Sequence, residues 1–148
     1  MASYADNRKA RFNYEILEKY ETGIELIGAE VKSVRASQIS LEGAFVIIRG
    51  GEAFLINVNI PPFQPKNAPK DYDALRNRKL LLTKKEIAEL ADSEKNKSLT
   101  IVPISVYNKG RKIKVEIALV KGKKKLDKRE TIKKRETDRE IRREYKER

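Results

Sequence analysis

The sequence predicts a mostly β fold: a small antiparallel β-barrel with two or so short helices and a basic C-terminal tail that is disordered when free. Three observations carry this expectation. Apolar and polar residues alternate in several short runs, most cleanly where Ile113, Val115, Ile117 and Leu119 interleave with Lys112, Lys114 and Glu116. Glycine-bearing turns separate such runs at hairpin spacing. Residues 121–148 hold 14 Lys/Arg and 7 Asp/Glu but only four large apolar side chains, Leu126, Ile132, Ile141 and Tyr145. Four such groups cannot offset the backbone entropy of ordering that segment.

Three parts follow: a basic arm over residues 1–11, a barrel over 12–120, and the tail over 121–148. The run Asn7-Arg8-Lys9-Ala10-Arg11 either clamps phosphates or is a frayed, soluble end. Phe12, Tyr14 and Ile16 alternate with Asn13 and Glu15, which predicts a first strand. Glu21-Thr22-Gly23 reads as a turn, after which Ile24 to Leu26 resumes the alternation and closes a first hairpin. Over Gly28–Arg35 the period changes to helical, with Val31 and Val34 on one face and Glu30, Lys32 and Arg35 elsewhere. Lys32 and Arg35 could form a cationic edge. Glu30 would be an intrahelical partner or a hydrogen-bond acceptor from bases.

Phe45–Ile48 and Ala53–Val58 flank Arg49-Gly50-Gly51-Glu52, a strong hairpin signal because Gly-Gly supplies positive φ where strands reverse. Residues 61–70 hold four of the five prolines and, extended to Asn77, make a long loop. Tyr72 there could stack on a base or cover the barrel end. Arg76, Arg78 and Lys79, with Lys84 and Lys85, cluster around Leu80-Leu81-Leu82 and read as a phosphate-contact surface. Thr83 with Glu86 has capping-box spacing, which starts a helix over 84–90 ending near Asp92-Ser93. Leu99–Tyr107 and Lys112–Val120 flank Asn108 to Arg111 as a last hairpin. Pro103 argues against a strand that is central throughout. Oligonucleotide-binding (OB-type) barrels have this size and composition.

The 148 residues carry 34 Lys+Arg and 22 Asp+Glu, a net charge of +12, with no His and no Cys. The missing residue types exclude disulfides, thiol nucleophiles, His-ligated metals and His acid/base catalysis. Glu15, Glu18, Glu21 and Glu25 form no carboxylate dyad or metal motif, so no enzyme is expected. No apolar run reaches the length of a membrane span and no signal peptide is apparent, so a soluble, cytoplasmic protein is expected. An acidic polymer is the first partner to consider, and a nucleic acid the foremost one. Less favoured readings are a ribosomal or initiation-factor-like OB protein, a phosphodiester enzyme and a nonspecific basic chaperone.

Several blocks fall in one order: Asn7 to Arg11, Tyr14-Glu-Ile16, Glu21-Thr-Gly-Ile-Glu-Leu26, Gly28-Ala-Glu-Val-Lys-Ser-Val-Arg35, Gly51 to Leu55, Arg76-Asn-Arg-Lys-Leu-Leu-Leu82 and Lys121-Gly-Lys-Lys-Lys-Leu-Asp-Lys-Arg129. From about residue 6 to the C-terminus the chain resembles the SmpB (SsrA-binding protein, small protein B) family. The resemblance implies an OB-like barrel that binds the tRNA-like part of tmRNA (SsrA RNA) in trans-translation, the rescue of stalled ribosomes. It implies partners in tmRNA and the small ribosomal subunit, with elongation factor Tu in the delivered complex, no cofactor or metal, and a monomer. It implies RNA-binding roles for Asn7, Glu21 and Leu81, and matching basic positions at Lys32, Arg35, Arg76, Arg78 and Lys79. It ties Asp127, Lys128 and Arg129 to a decoding-centre role, within a motif that also holds Lys121, Gly122, Lys123, Lys124 and Leu126. Leu126 stands where the family often has a ring, and Tyr72 where it often has His.

Overall fold

The computed structural model describes residues 3–64, 70–96 and 98–122. Among them, chain order runs β1 (Ser3–Asp6), α1 (Arg8–Asn13), β2 (Tyr14–Gly23), α2 (Gly28–Arg35), β3 (Phe45–Arg49), β4 (Glu52–Ile56), β5 (Arg78–Leu80), α3 (Lys84–Glu94), β6 (Leu99–Lys109) and β7 (Lys112–Gly122). The mostly β, antiparallel expectation holds. The strands form two sheets, ordered β1-β6-β7-β2 and β3-β4-β5, and no closed barrel is present among the described residues. The sheets are stitched along one side. Ile24 bridges Leu80, the Glu25 amide donates to the Lys79 carbonyl at 2.9 Å, and the Leu81 amide donates to the Gly23 carbonyl at 2.9 Å.

Both glycine hairpins form as their residues require. Arg49 pairs with Glu52, leaving Gly50 (φ 58°) and Gly51 (φ 73°) as the two loop residues in the left-handed region that a reversing pair of strands needs. Lys109 pairs with Lys112, so β6 runs two residues closer to its turn than expected, while β7 starts at Lys112 as expected. Pro103 lies in β6 outside the stretch that β1 covers, Ser105 to Tyr107, and pairs there with β7 alone, so the strand is not central throughout. A register shift between Pro103 and Ser105 accommodates it, because a bulge tolerates the missing amide donor.

The first expected hairpin does not form. β2 continues through Glu21, Thr22 and Gly23, paired with Glu116, Val115 and Lys114 of β7. An eleven-residue neighbour gives that strand a full ladder, and Thr22 and Gly23 are buried rather than turning in solvent. Of the arm expected over residues 1–11, the described residues 3–11 are also built into the domain. β1 pairs with β6, and Phe12 belongs to α1 rather than to a strand. Lys121 and Gly122, expected in the tail, end β7 opposite Glu15 and Tyr14. The remainder of the tail, with Lys123, Lys124, Leu126, Asp127, Lys128 and Arg129, lies outside the described residues.

Two apolar clusters explain the layering. The larger lies between the sheets and takes Val46, Ile48, Leu55 and Leu80 from one and Ile101, Val115, Ile117 and Leu119 from the other, closed by Val34 of α2 and Leu90 of α3. The smaller sits on the opposite face of the four-stranded sheet, where Ala10 of α1 covers Val102, Ile104, Ala118 and Val120. That helix is why β7 is buried on both faces near its end instead of alternating throughout. α3 begins with the expected capping box: Thr83 Oγ1 accepts from the Glu86 amide at 3.2 Å and Glu86 accepts from the Thr83 amide at 3.0 Å. Glu94 anchors its other end, accepting from the Ile48 amide at 2.8 Å and from Arg49 at 2.7 Å. No helix among the described residues is long and apolar enough to cross a membrane.

Candidate nucleic-acid interface

α2 starts without a side-chain cap from Ile27, and the Ile27 amide donates instead to Glu30 Oε1 at 3.0 Å. This turns Glu30 inward, where it is fully buried. Arg78, also fully buried, meets it with Nε at 2.8 Å and Nη2 at 2.6 Å from Oε2. The remaining Arg78 N–H groups reach the carbonyls of Val58 at 2.7 Å, Ala74 at 3.0 Å and Arg76 at 3.1 Å. All five donors of the guanidinium are therefore satisfied. Arg76 adds Nε at 3.0 Å from Oε2 and a second, shorter bond to Oε1. Tyr72 donates its hydroxyl to the Ile60 carbonyl at 2.6 Å and to Glu30 Oε2 at 3.3 Å. Burial raises the Glu30 pKa, but the bonds from Arg76, the Ile27 amide and Arg78 outweigh it and hold the carboxyl below its usual range.

These contacts correct two of the expected site residues, Glu30 and Arg78, and give two more, Arg76 and Tyr72, a structural role. Glu30 cannot accept from a base, and Arg78 cannot touch a phosphate, because neither reaches solvent. Arg76 and Tyr72 are half-buried and committed to the same carboxylate. Together the four clamp residues 72–78 onto α2. The helical period left Glu30 off the Val31/Val34 face, and sequence alone gave no cue that the long loop would fold over it.

Asn7 has a structural role of the same kind. It is buried, its Oδ1 caps α1 by accepting from the Ala10 amide at 3.1 Å, and its Nδ2 donates to the carbonyls of Pro103 at 2.9 Å and Leu41 at 3.4 Å. It fixes α1 against the bulge of β6. Asn7→Ala loses a helix cap and leaves buried carbonyls unpaired, so a loss of about 2–3 kcal/mol in urea-unfolding free energy is expected. Asn7→Asp keeps the cap but not the donor, and should fall between the two.

Arg8, Lys9 and Arg11 project from α1 and are exposed. Lys9 pairs with Glu42 and Arg11 lies 3.7 Å from Asp6. Lys79 lies 3.2 Å from Glu52 on the outside of the smaller sheet. Glu21 is exposed and already engaged: it accepts from Lys109 at 2.9 Å and from the Tyr107 hydroxyl. Those two donors hold its carboxyl below the usual range, while burial and the Glu21 charge push the Tyr107 hydroxyl up. Glu21 thus holds Lys109 in place while its carboxylate stays exposed.

Arg35 and Leu81 are brought together. They line an open groove of about 310 Å³ between α2, the end of β2 and the β6–β7 turn. Ile24, Leu26, Val31 and Ile113 share its apolar floor with Leu81, and Gly23 lies at its edge. Leu81 is 54% exposed, a large apolar side chain left in the open. Gly23 matters here through space: a Cβ at that position would lie 3.1 Å from Leu81 Cδ1. The other cations at the groove are Arg111, Lys112 and Lys114, and no carboxylate lines it. Arg35 Nη2 donates to the Arg111 carbonyl at 3.1 Å, tying α2 to the turn. Lys32 is exposed on the same helix. Sequence reasoning missed Arg111, Lys112 and Lys114 as site residues, having read them as a turn and as the solvent face of a strand. The run Lys109-Gly-Arg-Lys-Ile-Lys114 was the available signal.

Comparison with known proteins supplies the context. A family model described as "SmpB protein" matches residues 4–147. The chain is 51% identical over 138 residues to the SsrA-binding protein of Gloeothece citriformis, covering 93% of this chain and 89% of that one. It is 53% identical over 140 residues to the SsrA-binding protein of Mesoplasma florum, covering 95% and 94%. A chain in the solved structure "tmRNA-SmpB: a journey to the center of the bacterial ribosome" superposes with a TM-score of 0.68 at 43% identity, covering 82% of this chain and 85% of that one.

Proposed function

For a chain that belongs to the SmpB family, we propose binding to the tRNA-like domain of tmRNA and delivery of that RNA to stalled ribosomes in trans-translation. The observation that carries this reading is the groove, where Arg35, Arg111, Lys112 and Lys114 surround an apolar floor with no opposing acid. Cations position a nucleic acid by its phosphates, while apolar surface serves its bases. The two stitched sheets act as an opened OB-like barrel that presents this groove. Arg8, Lys9 and Arg11 on α1 and Lys32 on α2 extend the positive surface. The protein is a cytoplasmic, monomeric binding protein rather than an enzyme, and elongation factor Tu joins the delivered complex.

The tail beyond Gly122 acts near the decoding centre, with Asp127, Lys128 and Arg129 as the position-sensitive part. RNA affinity and tail function are then separable. Truncation after Gly122 should leave affinity for the isolated tRNA-like domain within about threefold, because distant tail charges are screened beyond ~10 Å at 0.1 M salt. Replacing Asp127, Lys128 and Arg129 with Ala should abolish peptide tagging in a reconstituted translation assay while RNA binding persists. Loss of RNA binding on truncation, or full tagging by the triple variant, would defeat this division.

The test of the main reading is direct: capture of RNA by the full chain from a bacterial lysate, followed by sequencing. One dominant structured RNA is expected. A broad mixture of ribosomal RNA fragments would favour a ribosomal or initiation-factor-like protein instead.

A further inference from the structure

We infer that a pocket beside the end of β7 receives Leu126 of the chain's own tail, which parks residues 123–127 against the domain until a partner takes them. The pocket exists because the two sheets do not close. β1 covers β6 only from Ser105 to Tyr107, so the outer edge of β6 from Leu99 to Val102 has no strand partner among the described residues. α1 and the segment before β3 flank that edge and leave a space of about 410 Å³. Its lining includes Thr100 and Val102 of β6, the half-buried rings of Tyr14 and Phe45, and the exposed ion pair of Lys9 with Glu42. Rings left partly in water beside apolar surface gain when an apolar side chain covers them.

The tether selects the occupant. Gly122 ends β7 opposite Tyr14, and Val120 pairs with Thr100, so the chain leaves the sheet at the side of the pocket. Leu126 is the first large apolar residue after that point, and the next is Ile132. Four residues reach at most about 14 Å, enough to turn back over Tyr14. A tether that short holds its end at an effective concentration on the order of millimolar, so a contact too weak for a separate peptide suffices. The charges fit as well. Leu126 stands between Lys125 and Asp127, and the pocket offers Glu42 to the first and Lys9 to the second. The consequence rests on the tail reading above: Asp127, Lys128 and Arg129 stay beside the domain until the ribosome draws Leu126 out. The contact itself does not depend on that reading.

The experiment uses the full chain without RNA, and the absence of cysteine from the sequence leaves disulfide trapping free of background. In a glutathione redox buffer, Thr100→Cys with Leu126→Cys should form an intrachain disulfide at least about tenfold faster than Lys112→Cys with Leu126→Cys, because a bridge needs Cα atoms within about 7 Å. Lys112 opens the same strand, and the stretch from it to Gly122 spans about 33 Å, beyond the reach of the tether. Asn13→Cys, at the end of α1 and in the same lining, takes the place of Thr100→Cys if that change weakens the sheet. In the chain without added cysteines, Leu126→Ala should shift the amide resonances of Tyr14, Phe45 and Thr100 and leave those of Ile24 and Leu81 in place. Equal trapping rates, or amides at the pocket that do not move, would overturn the inference. Bridges that join two chains would assign the pocket to a second copy and overturn it equally. A chain that traps as expected yet fails to bind the tRNA-like RNA would leave the contact standing and defeat the functional reading instead.

Discussion

Glu30→Ala should cost about 3–5 kcal/mol of unfolding free energy, the usual result of removing one partner from a buried ion pair. The reason lies in what remains. Arg78 keeps its charge in a site without solvent, its carbonyl partners cannot neutralise it, and Arg76 loses the same carboxylate. Against a typical total stability of ~5–15 kcal/mol, the variant would be marginal. Urea unfolding at pH 7 measures the loss. Limited trypsin digestion locates it, because cleavage after Arg76 or Arg78 should appear in the variant and be absent in the parent. A loss below about 1 kcal/mol would mean that the loop over residues 72–78 is held by something other than Glu30.

The same carboxylate sets an acid limit. Its folded pKa is lowered from the ordinary 4.5. Its contribution to stability is therefore complete above the unfolded value and is lost as pH falls through the lower folded value. The parent should lose stability more steeply than Glu30→Gln as pH falls below the ordinary 4.5. The two urea midpoints should converge toward acid.

The second large effect concerns the groove. Reversing Arg111 and Lys112 together to Glu should lower affinity for the tRNA-like RNA on the order of 100-fold at ~0.1 M salt, since each charge-assisted contact is worth at least about a factor of ten. The slope of log affinity against log salt should shrink by roughly one per lost phosphate contact. Both side chains are exposed, so stability should stay within about 0.5 kcal/mol of the parent. Lys95→Glu, at the end of α3 and engaged with Asp92 at 3.7 Å, serves as the comparison and should change affinity less than about threefold. Equal losses from both variants would reduce the site to a nonspecific field of positive charge.

Local chemistry was legible in the residues themselves. Gly50-Gly51 and Gly110 supplied their turns, Thr83 and Glu86 their capping box, and Val115, Ile117 and Leu119 their buried face, because each depends on neighbours within a few positions. The ordered blocks from Asn7 to Leu82 carried the family in the same way. Arg35 and Leu81 were each singled out from the sequence, and the fold brings them to one groove. What the chain did not disclose was which polar residues face inward. Glu30, Arg78 and Asn7 look like solvent-facing groups until their partners arrive from 48 and 96 positions away. A buried charge is tolerable only when such partners satisfy it, and no local pattern encodes that meeting. The turn behaved likewise at Glu21 to Gly23, where the long β7 strand offered a ladder that overrode the local signal. The groove itself exists only because Arg111 to Lys114 return to α2, 76 positions from Arg35 to Arg111, and to Leu81. Sequence determined the elements and the charge; tertiary structure decided which charges are held inside as scaffold and which remain outside, unpaired, to meet a partner.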